Sequence, residues 1–231
     1  MKVEICASNF ESAIAAFNGG ADRIELCESL EVGGLTPSPE LLEKVLSEIH
    51  IPVHVLIRPR AGDFCYSSSE IDQMLKNITF CKESGCAGIV SGALTTGNEL
   101  DQRTVQQFLT ASEGMDFTFH RAFDQVVNPK KVLRSLIDLG VHRLLSSGQE
   151  AQAVDGLELL KELHDEFGDR IEIMPGAGID QTNAVRFKAV GFGSVHLSAI
   201  RKSKPATSLF NTGITGISDL ATIKKIVTLV H

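Results

Sequence analysis

The sequence has no C-x-x-C pair, no excess of positive charge and no apolar run approaching the ~18 residues that a membrane helix needs. Each absence excludes something. Five cysteines, at positions 6, 27, 65, 81 and 86, are an odd number. With no apolar leader segment, they argue against a disulfide scaffold and for reduced thiols. The opening MKVEICASNFE places a glutamate at position 4 and reads as a strand rather than a signal peptide. A formal charge of −7 disfavours nucleic acid as a partner, because phosphate binding calls for a basic stripe. Seven prolines against 20 glycines exclude a Pro-rich linker protein and a collagen. No P-loop, G-x-G-x-x-G, H-E-x-x-H or G-x-S-x-G pattern occurs. The expectation is a soluble cytoplasmic protein with no membrane partner.

What is present is an alternation of strand and helix signals. Eight short apolar runs stand out: VEIC, RIELC, VHVLI, GIVSG, FTFHR, RLLSS, EIMPG and SVHLS. Helical stretches lie between them. Ser8 with Glu11 and Ser67 with Glu70 fit capping boxes, and Ser38-Pro39 and Asn128-Pro129 fit an N-cap followed by proline. Eight strand–helix units in 231 residues predict a single (β/α)8 barrel domain over residues 1–231 with short loops. A doubly wound open sheet is the alternative, and the strand count favours the barrel.

The alternation within the strands carries the functional signal. Val3 and Ile5 oppose Glu4 and Cys6, and Ile24 and Leu26 oppose Glu25 and Cys27. Further along, Val53, Val55 and Ile57 oppose His54, Leu56 and Arg58. Phe117 and Phe119 oppose Thr118 and His120, and Val195 and Leu197 oppose His196 and Ser198. The apolar face must meet the helices, so the polar face points into the barrel. A barrel built only for packing would fill that space with Val, Ile and Leu.

Four groupings follow. The repeated Glu-x-Cys of neighbouring strands predicts Cys6 facing Cys27 near the mouth, with sulfurs ~4–5 Å apart. Glu4 and Glu25 should share a deeper layer beside Arg58. Two thiolates suit Cu(I) or part of a zinc site, while the plain alternatives are core packing or a redox pair. The IRPRAGDFC segment sets Arg58, Arg60 and Asp63 past a strand end, where barrel active sites form, with Cys65 on the same loop. In FHRAFD, His120 ends a strand and Asp124 is placed to orient it or Arg121, an acid–base arrangement. Gly176 and Gly178, in PGAGI, offer backbone N–H groups to an anion ahead of a helix opened by Asp180. Close carboxylates cannot both ionise cheaply, so either Glu4 or Glu25 is expected to hold a raised pKa. The candidate catalytic set is therefore Glu4, Glu25, Arg58, His120 and Asp124, with Arg60, Gly176 and Gly178 for an anion and Cys6 and Cys27 for a metal.

Taken together, VEICASNFESAIAAFNGGADRIELCESLEVGGLTPS, VLIRPRAGDFCYS, GALT, TFHRAFD, LLSSG and MPGAGI resemble the CutC family, named for copper homeostasis. The likeness runs from residue 2 to about residue 200. It implies a TIM-type barrel, a cytoplasmic location, a homo-oligomer and a Cu(I) site at Cys6 and Cys27. It carries over no reaction. The sequence departs from the pattern at His54, at Cys65 and in reading GAG rather than GGG after Pro175. Two functions follow: a copper-binding protein without turnover, and a barrel enzyme acting on a small anionic or phosphorylated substrate.

Overall fold

A computed structural model describes residues 1–200 and 216–231. Its eight parallel strands are β1 (Lys2–Ala7), β2 (Arg23–Leu26), β3 (Val53–Leu56), β4 (Gly88–Ser91), β5 (Asp116–Phe119), β6 (Arg143–Ser146), β7 (Glu172–Pro175) and β8 (Ser194–Leu197). The helices are α1 (Phe10–Gly19), α2 (Pro39–Glu48), α3 (Ser68–Glu83), α4 (Gln102–Ala111), α5 (Pro129–Asp138), α6 (Leu157–Phe167), α7 (Ala184–Val190) and α8 (Leu220–Val230). The strands follow one another in chain order from β1 to β7, and β1 also pairs with β8. A parallel bridge between Gly176 and His196 brings β7 and β8 together, so the sheet is a nearly closed barrel, as the strand count predicts. No helix among the described residues is long and apolar enough to cross a membrane.

Local signals set the helix boundaries. Ser67 and Glu70 form a reciprocal capping box on α3. Ser38 caps α2 and Asn128 caps α5, each followed by a proline. Helix α1 departs from expectation: its cap is Asn9, which accepts from the Ser12 N–H, so Ser8 is not the cap. Asp180 opens a turn, and α7 begins only at Ala184.

Outward strand residues such as Val3, Ile5, Ile24, Val55, Phe117 and Val195 are fully buried against the helices. The inward face is polar from its floor upward. Arg23 holds the Glu4 carboxylate through its Nε and lies 3.3 Å from Met174 Sδ. Arg143 reaches Glu172 at 2.7 Å and Thr118 Oγ1 at 3.0 Å, with Asp116 at 3.4 Å. His54 sits buried over Asp116 at 3.8 Å. Ionic groups thus stand where an ordinary barrel would hold aliphatic layers.

Arg23 is 5% exposed and Glu4 is 1% exposed, so removing one partner strands the other charge inside. Arg23→Met is expected to cost ~3–5 kcal/mol of folding stability, measured by urea denaturation. A loss below ~1 kcal/mol would show that the floor network is not a structural tie.

Candidate functional site

The register between β1 and β2 decides what meets at the mouth. Glu4 lies opposite Arg23, and Cys6 lies opposite Glu25. The two Glu-x-Cys repeats are therefore offset by two residues. Glu4 and Glu25 occupy different layers rather than one. Barrel shear causes this, since tilted strands cannot align like residues in a ring. The sulfurs still meet: Cys6 Sγ lies 3.6 Å from Cys27 Sγ, closer than the spacing expected from sequence. Both thiols are buried, packed with Leu56, Val90 and Leu30. Both cysteines are free thiols.

His196 joins the layers. Its Nδ1 donates to Glu4 Oε1 at 2.7 Å, and its Nε2 lies 3.4 Å from Glu25 Oε2. Cys6, Glu25 and His196 each offer a ligand atom within 4.8 Å of the other two. His196 was legible as an inward residue of its strand, but its contact with β1 and β2 was not. The sequence also concealed the arginine involved. Arg23, in phase with Glu25 and Cys27, is the cation beside Glu4.

The electrostatics follow from these contacts. Burial would raise the Glu4 carboxyl, but the His196 hydrogen bond and the Arg23 charge outweigh it and hold Glu4 well below the usual carboxylate range. Burial pushes Glu25 up, helped by the charge on Glu4 and opposed by His196. One carboxyl of the pair is thus raised, as expected, though without Arg58. Burial would lower His196, yet Glu25 and Glu4 raise it. The hydrogen bond with Cys27, then burial, push the Cys6 thiol up, so Cys6 is a neutral thiol at neutral pH.

The other predicted residues take different places. Arg58 donates from Nη1 to Val32 O and Gly34 O at 2.9 and 3.0 Å and from Nη2 to Gly62 O at 2.9 Å. It reaches neither Glu4 nor Glu25, because it stands past the end of β3 and ties two mouth loops together. Arg60 is bound by Glu70 at 2.5 Å and Asp63 at 2.9 Å, which pins its loop to α3 rather than presenting it to an anion. Cys65 is part of that clamp: its carbonyl accepts from Arg60, and its N–H donates to Asp63. Asp124 accepts from Ser146 Oγ at 2.6 Å, Ser147 N–H at 3.1 Å and Arg121 Nε at 2.8 Å. It orders the SSG turn and does not orient His120. Gly176 belongs to the β7–β8 bridge. Gly178 lines the mouth, next to Ala177, and both have left-handed φ angles, 68° and 88°.

A cavity of about 680 Å³ opens over these groups. Cys6, Glu25 and His196 line its floor, while Arg58, Phe64, His120 and Arg121 line one wall. His120 Nδ1 accepts from the Ala122 N–H at 3.2 Å. The neutral ring therefore carries its proton on Nε2. His120 Nε2 and Arg58 Nε are buried and have no hydrogen-bond partner among the described residues. Burial, reinforced by the Arg58 charge, lowers His120 to about 3.

A histidine neutral when folded but free to ionise when unfolded makes stability fall with pH. The unfolded chain binds its proton below ~6.5, and the native state does not bind it until about 3. Between those values His120 contributes a slope of up to ~1.4 kcal/mol per pH unit. Urea midpoints from pH 6.5 down to 4 should fall more steeply for wild type than for His120→Gln. Parallel profiles would mean that His120 is not held neutral.

A family model described as the CutC family matches residues 1–201. CutC of Pasteurella multocida is 47% identical over 199 residues, covering 86% of this chain and 82% of that protein. CutC of Glaesserella parasuis is 40% identical, covering 98% of this chain and 97% of that one. The crystal structure of a Streptococcus agalactiae CutC, named for copper homeostasis, superposes with a TM-score of 0.81 at 32% identity, covering 86% of this chain and 98% of that one. A thiamine phosphate pyrophosphorylase from Pyrococcus furiosus, at 13% identity and a TM-score of 0.65, shares the fold alone. The match across most of the chain, with these identities, makes the protein a member of the CutC family.

Proposed function

We propose that this chain is a copper-homeostasis protein that binds Cu(I) through Cys6 and Cys27 at the barrel mouth, without turnover. The observation that carries the reading is the 3.6 Å separation of two buried sulfurs from adjacent strands. Soft thiolates select Cu(I), and neighbouring apolar side chains shield such an ion from water. Both thiols are free, so both sulfurs are available as ligands. Because Cys6 is held as a neutral thiol, loading must release protons, and affinity should rise with pH. A cytoplasmic location, a homo-oligomeric state and one domain over residues 1–231 accord with the family and with reduced thiols. Titration of Cu(I) against a chromogenic chelator tests the site. Cys6→Ser and Cys27→Ser should each weaken binding at least 100-fold, whereas affinities equal to wild type reject the site.

A second reading, a barrel enzyme acting on a small anionic or phosphorylated substrate, is favoured by one observation. His120 Nε2–H and Arg58 Nε–H are buried donors without an acceptor among the described residues, on the wall of a cavity whose floor holds Glu25 and His196. A neutral imidazole donor beside a guanidinium suits an anionic or carbonyl oxygen. In this reading His120 and Arg58 bind the substrate, and Glu25 with His196 moves its protons. Inorganic phosphate titrated into protein with ¹⁵N-labelled histidine should shift the His120 Nε2 signal, and His120→Phe should weaken phosphate binding roughly tenfold. An unmoved His120 signal at saturating phosphate would discard this reading.

A further inference from the structure

We propose that Cys6, Glu25 and His196 form a three-ligand, zinc-type site for a borderline divalent ion, with its fourth position open toward the cavity and Glu4 as the positioning residue of His196. The inference rests on reading the barrel mouth as a metal site, and it changes the ligand set and the class of ion that set accepts. Three observations carry it.

The first is convergence. Cys6, Glu25 and His196 each present a donor atom within 4.8 Å of the others, while Cys27, 3.6 Å from Cys6 Sγ, stands outside that group. Zinc bonds of ~2.0–2.3 Å around a tetrahedral ion separate its ligand atoms by ~3.3–3.8 Å. The His196 Nε2–Glu25 Oε2 pair, at 3.4 Å, falls in that range, and Cys6 supplies the third donor. Three protein ligands with a fourth position left to the cavity is the arrangement of zinc sites that keep a place for an exogenous ligand.

The second is orientation. His196 Nδ1 donates to Glu4 Oε1 at 2.7 Å, and Glu4 is gripped by Arg23. The proton is thereby fixed on Nδ1, and the Nε2 lone pair is directed toward Glu25 and Cys6. A carboxylate behind a histidine is the usual outer support of a metal-bound imidazole. A site made of two thiolates alone has no use for it.

The third is access. Cys6, Glu25 and His196 line the floor of the 680 Å³ cavity, so an ion there can be reached from the mouth. The donor set of a sulfur, an imidazole and a carboxylate is of borderline softness, suited to Zn²⁺ and its spectroscopic substitute Co²⁺.

The experiment uses the full chain, stripped of metal and handled without oxygen. Co²⁺ should give tetrahedral ligand-field bands and thiolate charge-transfer absorption at one ion per chain, displaced by Zn²⁺. His196→Ala should weaken Zn²⁺ at least 100-fold and remove the tetrahedral bands. Glu4→Gln should weaken it ~10–100-fold while keeping them. His196→Gln, which keeps the bulk of the side chain, guards against loss of fold and should behave like His196→Ala, with circular dichroism unchanged. Absence of tetrahedral bands in wild type, or unchanged Zn²⁺ affinity in both His196 variants, overturns the inference. Cu(I) competition on the same proteins separates the two readings. Cu(I) binding that needs Cys6 and Cys27 but not His196, with no Zn²⁺ or Co²⁺ site, keeps the copper reading and rejects this one. Zn²⁺ binding that needs His196, with Cu(I) indifferent to Cys27, does the reverse.

Discussion

The ionic contact between Arg23 and Glu4 is the constraint on which the upper part of the barrel rests. Both side chains are almost fully enclosed, and an isolated charge there would cost several kcal/mol. Pairing makes the enclosure tolerable and fixes the Glu4 carboxylate. That carboxylate then fixes the His196 ring, which comes from β8, and the ring fixes what Glu25 on β2 encounters. Three strands are held in one electrostatic chain that runs from the floor to Cys6. The neighbouring cluster of Arg143, Glu172, Asp116 and Thr118 fills the rest of the floor in the same way. The interior is therefore built from mutually satisfied polar groups, and its rigidity comes from directional bonds rather than from interlocked aliphatic layers.

Shear translates that floor into the chemistry above it. Had the two Glu-x-Cys repeats aligned residue for residue, the carboxylates would face each other, and so would the thiols. The offset instead gives each carboxylate a different neighbour: Glu4 takes a cation and Glu25 takes a thiol. Their acidities diverge: the His196 hydrogen bond and the Arg23 charge hold Glu4 down, while burial, helped by the charge on Glu4, raises Glu25. Two residues of one type, repeated in sequence, become an anchoring anion and a group whose proton is loosely committed. The same offset brings the two sulfurs into contact.

The fold was legible because its signals are local. Period-two alternation, the Ser67–Glu70 box and the two proline-capped helices each reside within a few residues of sequence. The inward set was legible for the same reason, and Cys6, Glu25, His120 and His196 do line the cavity. What the sequence withheld is the partner of each group. Arg58 stood near a strand end and looked like the natural counter-ion for an inward glutamate, yet backbone carbonyls of the mouth loops claim it. Arg23 shares the phase of Glu25 and Cys27 but opens its strand, where an arginine reads as a solvated end. Asp124 illustrates the same limit: its spacing from His120 fits an acid–base pair, while its contacts belong to Ser146, Ser147 and Arg121. Pairing across strands depends on register, and register depends on a closure that no single strand encodes.

The cavity then presents an energetic question that the fold alone does not answer. Leaving a buried donor unpaired costs ~1–3 kcal/mol, and both His120 Nε2 and Arg58 Nε are in that condition. Burial also keeps His120 neutral, which costs stability as pH falls below the ordinary histidine range. Leucine or valine at these positions would relieve all of it and fill the space besides. Aliphatic residues do close the barrel nearby, at Leu56 and Val90, so the architecture accommodates them. Polar groups held unsatisfied around a common space, each oriented by an independent contact, are matched to something that enters it. A metal ion at the floor would take the His196 lone pair and the Cys6 sulfur. An oxygen-bearing ligand above it would take the N–H groups of His120 and Arg58. The two demands are opposite in kind, lone pairs at one place and N–H groups at another, and the lining of one cavity presents both.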